Sequence, residues 1–163
     1  MIRLPPRLPA DVRAALGIDG RALAFEKLVR DGWVVATRAG LHVLQDGHPL
    51  VRRWTDVDGA RLDPETEQLT VTWVNGTPAT TIALDHPRNR LVRTVHDRVQ
   101  SSVVLAERVT LPHDGVVRVV LRRGEHGDLF TQVIGDGRVD LADPEVTRLV
   151  DAAEARIRES AGL

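Results

Sequence analysis

From Arg21 to Leu105 the chain runs through short apolar segments punctuated by turn residues, then changes once to a helical period. Segments 22–29 and 33–38 flank Asp31-Gly32, a pair that tolerates positive φ and predicts a hairpin between them. Ala39-Gly40 precedes 41–44, and Asp46-Gly47 precedes 50–54, marking two further turns. Segment 57–62 contains Gly59, where a bulge or a close backbone approach is expected. After Asp63-Pro64-Glu65-Thr66, Leu69, Val71 and Trp73 alternate with Thr70 and Thr72 over 68–74. Asn75-Gly76 then leads into 79–84, where Thr80, Ile82 and Leu84 share a face.

The period changes at Asp85. Its carboxylate predicts an N-cap, and Pro87 falls in the first turn, where a missing donor costs little. Leu91, Val92, Val95, Val99 and Val103 recur at helical spacing, so a helix is expected from Asp85 to between Ser101 and Ala106. Strands at 108–111, 116–122 and 129–134 follow. Asp143-Pro144 then opens a last helix with Val146, Leu149, Val150, Ala153 and Ile157 on one stripe. Upstream, 1–8 is proline-rich and extended, and 11–16 predicts a short helix ended by Gly17, with Val12, Ala15 and Leu16 turned toward the strands.

These elements predict an α+β protein in three regions. Residues 1–20 form an N-terminal extension with a short helix. Residues 21–106 form a seven-stranded antiparallel barrel capped by its C-terminal helix. Residues 107–163 form a three-stranded antiparallel sheet plus helix, packed on the barrel.

Seven short strands and a helix in this order resemble the pleckstrin-homology-like barrel, including its bacterial members. The local likeness lies in Gly32-Trp33-Val34-Val35-Ala36-Thr37-Arg38-Ala39-Gly40-Leu41-His42-Val43-Leu44, with Trp54-Thr55-Asp56-Val57 and Leu69-Thr70-Val71-Thr72 matching later strands. The chain also resembles a group of uncharacterised actinobacterial proteins, which its basic composition fits: Lys27 is the only lysine among 22 basic residues. The resemblance covers 21–105 and implies a binding module. In lipid-binding members the first hairpin is basic; here Lys27, Arg30 and Arg38 are present, but Ala39-Gly40 stand where further basic residues belong.

Composition narrows the function classes. With no cysteine, disulfides and thiolate chemistry are excluded. No window is apolar enough to span a membrane, and the start lacks a signal-like run, so a soluble cytoplasmic protein is expected. A net charge of −1 and 3% aromatics argue against nucleic acid as partner. The six histidines form no His-x-x-x-His pair, and no cofactor or metal is implied. His96-Asp97 with Ser101-Ser102 reads as a polar helix face, and Asp56, Asp58 and Asp63 as strand-end solvation and turn formation. Arg52-Arg53 and Arg122-Arg123 read as mixed-charge surface, and Trp33, Trp54 and Trp73 as core. The expectation is therefore a non-catalytic cytoplasmic interaction module with a protein partner. The alternatives are peripheral binding to anionic lipid through Lys27, Arg30 and Arg38, and an enzyme of unrecognised type.

Overall fold

The computed structural model describes residues 7–85 and 89–163. It is α+β, with three antiparallel sheets of four, three and three strands, none of them closed on itself. Two compact units are distinguishable, one made of residues 1–54, 60–70 and 81–96, the other of 55–59, 71–80 and 97–163.

In the first unit, α1 (Ala10–Ala15) ends where Gly17 adopts φ 61°, letting Ile18 N donate to Arg13 O and satisfy a terminal carbonyl. The four-stranded sheet runs in the order β1 (Ala24–Lys27), β2 (Gly32–Ala36), β3 (Gly40–Gln45), β4 (His48–Arg53). The register pairs Phe25 and His42 with Val35, and Leu44 with Trp33, placing all five on one sheet face. Leu8, Val12, Leu16 and Ile18 bury themselves against that face at Val35, while Ala15 is exposed rather than turned inward. On the opposite face Ala24, Val34, Ala36, Leu41 and Val43 are also buried. That is why β2 reads as a continuous apolar run rather than an alternation.

The first hairpin differs from the expected Asp31-Gly32 turn. Residues 28–31 make the connection and Gly32 is the first residue of β2. Leu28 N still donates to Gly32 O at 3.1 Å, but Leu28 also bridges to Leu84 and is 3% exposed, so the residues after β1 turn toward Leu84. Val29 N donates to Ala83 O and Asp85 N to Lys27 O, extending the same junction. A Cβ at Gly32 would overlap the Leu44 carbonyl oxygen, and one at Gly40 the Arg52 carbonyl oxygen, so close strand approach requires glycine at both. The turn Asp46-Gly47 is as expected, with φ 50° and 77°.

A second sheet holds β5 (Val57–Asp63), β6 (Gln68–Trp73) and β7 (Thr80–Ala83) in that order. The helix α2 (Asn89–Ser102) buries Leu91, Val95 and Val99. Pro87 and the first turn that Asp85 is expected to cap, and most of the extended 1–8 segment, lie outside the described residues.

Strand β8 (Val103–Thr110) starts directly after α2, five residues earlier than the sequence pattern predicts. Val103 sits at helical spacing from Val99, but Ser101 and Ser102 turn their hydroxyls onto the carbonyls of Arg98 and Val99, which closes the helix. The β-branched pair Val103-Val104 then enters the sheet, with a bulge between Val103 and Leu105.

In the second unit β8, β9 (Val116–Arg123) and β10 (Leu129–Ile134) form the sheet β10-β9-β8. The helix α3 (Pro144–Ser160) begins as expected, with Asp143 accepting from Glu145 N at 2.8 Å and Val146 N at 3.3 Å. Its Val146, Val150, Ala153 and Ile157 pack on Val109, Val117, Val119 and Leu121, closing a core over β8 and β9. Of the tryptophans expected in the core, only Trp54 is buried, its indole N–H donating to Thr37 O at 3.0 Å; Trp33 and Trp73 are half-buried.

Candidate functional site

The first hairpin carries Lys27 at the end of β1, Arg30 in the following connection and Arg38 after β2, and all three are exposed. Lys27 and Arg30 lie at one end of β2 and Arg38 at the other, roughly 20 Å apart at the rise of an extended strand. The fold does not gather them into one patch.

On the face covered by α1, His42 and Thr37 form a buried polar pair, with Nε2 3.1 Å from Thr37 Oγ1. The Thr37 hydroxyl also closes the tight turn at Gly40, accepting from Gly40 N at 3.2 Å. Nδ1 of His42 has no partner in hydrogen-bond geometry. Burial pushes the imidazole below its ordinary range, and the Leu16 carbonyl offsets part of that by favouring the proton. The pair is placed to hold the turn at Gly40.

The most unusual charge in the second unit is Arg122 on β9, 1% exposed. Its guanidinium donates to Ser102 Oγ at 2.6 Å and to Val57 O at 3.2 Å, while Nε has no partner. Desolvation lowers its pKa; Asp58 and Asp56 oppose the shift and Arg118 adds to it. Arg118, Arg122 and Gln132 project from one sheet face, and all three hold the segment 55–58. Gln132 donates to Thr55 O at 2.9 Å, Arg122 to Val57 O, and Arg118 pairs with Asp58 at 2.5 Å. This is a latch of three side chains on one segment. The sequence reads Arg122-Arg123 as mixed-charge surface; Arg123 is exposed, but Arg122 points into the unit and serves structure.

Other candidate groups have structural partners. The hydroxyls of Ser101 and Ser102 are held at the end of α2, which removes the suggested pairing with His96-Asp97. Asp63 Oδ1 accepts from Glu65 N at 2.8 Å and Thr66 N at 3.3 Å, and these bonds hold its carboxyl below the usual range. Among the described residues no three His, Asp or Glu side chains gather as a metal site. No helix among them is long and apolar enough to cross a membrane.

Two features have no counterpart in the sequence reading. One is a cavity of about 600 Å³ beside α1, lined by Arg7, Leu8, Arg13, Arg21, Ala22 and Phe25. Its arginines come from three different places, Arg7 before α1, Arg13 on it and Arg21 in the connection to β1, so no single periodic element signals them.

The other is the free edge of β10. Gly124 N donates to Asp128 O, which sets the hydrogen-bonding phase of the β9–β10 ladder and turns the backbone groups of Leu129, Thr131 and Val133 outward. No backbone partner to these three is present among the described residues. The edge of β4 is different: Pro49, Val51 and Arg53 face outward, Pro49 lacks an N–H, and Val51 O accepts from the Arg52 guanidinium at 3.0 Å. Comparison with protein-family models, curated proteins and solved structures found no match to this chain.

Proposed function

We propose that this chain is a non-catalytic interaction module of pleckstrin-like architecture, and that it takes up an extended segment of a protein partner along β10. The observation that carries the reading is the contrast between the two edges. The β4 edge is blunted by proline and by its own arginine, as exposed edges are in proteins that avoid pairing. The β10 edge offers three outward N–H and C=O pairs over six residues, with no proline and no bulge. An added strand would complete those bonds, with affinity from the main chain and selectivity from side chains beside it.

The pleckstrin-like part of the proposal is supported by the four-strand and three-strand sheets preceding α2, and by the Leu28–Leu84 bridge between β1 and the end of β7. The non-catalytic part is supported by the structural duties of Ser101, Ser102, Asp58 and Asp63. A cytoplasmic location fits a chain without cysteine.

Quantitative pull-down from lysate with Thr131→Pro and Thr131→Val tests the proposal. Thr131 donates its hydroxyl to Glu154 at 2.9 Å, and both variants lose that bond, but only proline also removes the outward N–H. A partner retained saturably by wild type and Thr131→Val and lost by a folded Thr131→Pro is the expected result. No saturable partner, or one indifferent to the proline, overturns the reading.

A further inference from the structure

The cavity beside α1 has a composition that structural packing does not account for. Among the described residues its lining consists of three arginines, Arg7, Arg13 and Arg21, with Leu8, Ala22 and Phe25, and includes no carboxylate. Arg7 and Arg21 are exposed and make no hydrogen bond or ion pair among the described residues. Arg13 is half-buried and held in place, its guanidinium donating to Ile18 O at 3.2 Å and Gly20 O at 2.7 Å. Those bonds staple the loop between α1 and β1 and fix one positive charge at the cavity wall. Phe25 is held as well, its ring 6.1 Å from that of Trp33 at a tilt of 55°. Three like charges around one concavity repel one another, and a bound anion relieves that repulsion.

We propose that this cavity binds a phosphomonoester carried on an apolar body. The guanidinium fork matches phosphate oxygens in a bidentate geometry, and a dianionic head suits three arginines better than a single carboxylate does. The apolar body lies against Leu8, Ala22 and Phe25. A volume of about 600 Å³ is in the range of small-molecule sites. The site shares no residue with the β10 edge, so its failure and the failure of the interaction reading are separate outcomes.

The test is calorimetric titration of the full chain with 1-naphthyl phosphate, 1-naphthol and inorganic phosphate, repeated with Arg7→Gln and Arg21→Gln. Both substitutions are at exposed positions, so the fold is retained, which circular dichroism checks. Naphthyl phosphate should bind more tightly than either fragment. Each arginine variant should weaken it about tenfold or more, and added salt should weaken it further. Co-sedimentation with phosphatidylcholine vesicles containing phosphatidic acid distinguishes the sources of the same chemistry. Naphthyl phosphate binding assigns a soluble ligand; arginine-dependent binding to phosphatidic acid vesicles alone assigns a lipid headgroup. Equal binding of naphthol and naphthyl phosphate, binding unchanged in both variants, or binding to neither phosphate source overturns the proposal.

Discussion

Substituting Arg122 by alanine, methionine and lysine asks whether a buried guanidinium stabilises the second unit or is a cost it tolerates. The alanine variant loses most of a side chain that is 1% exposed, and large-to-small replacements in cores cost about 2–5 kcal/mol. It also takes a charged donor from Val57 O, worth about 1–3 kcal/mol. Against these stands the desolvation of a cation whose Nε is unpartnered and whose bonded acceptors are neutral. The net expectation for Arg122→Ala is about 3 kcal/mol of lost stability, a melting temperature lower by roughly 6–12 °C for a chain of this size. Methionine fills much of the volume and removes the charge. Because Ser102 Oγ keeps its bond to Val99 O, only the Val57 acceptor suffers, so Arg122→Met should stay within about 1.5 kcal/mol of wild type. Lysine keeps the charge without the fork that reaches both acceptors, and should be less stable than methionine. Urea unfolding followed by circular dichroism, with slopes compared across variants, gives the three values. A methionine variant as unstable as alanine would refute the argument, since the charge itself would then be supplying stability.

Further expectations follow from the first unit. Gly40→Ala should destabilise by more than about 1 kcal/mol, because the added methyl meets the Arg52 carbonyl across the β3–β4 ladder; a neutral urea midpoint would contradict the close approach. For His42 the folded pKa lies below the ordinary 6.5, so the fold prefers the neutral ring. Above 6.5 folded and unfolded rings are both neutral and the difference vanishes; as pH falls through 6.5 toward the folded pKa, stability is lost. The shifts at Asp63 and Glu107 are depressions of carboxyl groups, whose stabilisation is lost as pH falls through their ordinary values of 3.8 and 4.5, below most of the histidine range. His42→Gln should therefore flatten the stability profile between pH 7 and 5, and an unchanged slope would contradict the assignment. Vesicle co-sedimentation in low salt should be unchanged by Arg30→Ala, given that Arg30 and Arg38 stand at opposite ends of β2; a strong loss would revive the lipid reading.

The elements were largely legible because their signals are local. Gly17, Asp46-Gly47 and Asp143-Pro144 each act through backbone geometry within a few residues, and each turn or cap stands where the pattern puts it. The first hairpin departs from the local pattern because Leu28 also answers to Leu84, a partner far along the chain. The start of β8 is ambiguous in sequence because Val103 satisfies both a helical stripe and a strand, and two serine hydroxyls decide between them. Of the site, little was legible. The latch of Arg118, Arg122 and Gln132 reaches a segment 60 to 77 residues away, and the arginine cavity gathers side chains from before, on and after α1. The phase of the β10 edge depends on the length of the Gly124–Asp128 turn and on register, which residue type alone does not fix.

Amide hydrogen exchange along β10, read residue by residue, tests the interaction proposal most directly. In the free protein, Leu129, Thr131 and Val133 should exchange fast and Phe130, Gln132 and Ile134 slowly, an alternation set by the ladder with β9. When the captured partner is added, the fast three should become protected. Uniform protection in the free protein, or an alternation that the partner leaves untouched, would contradict the account.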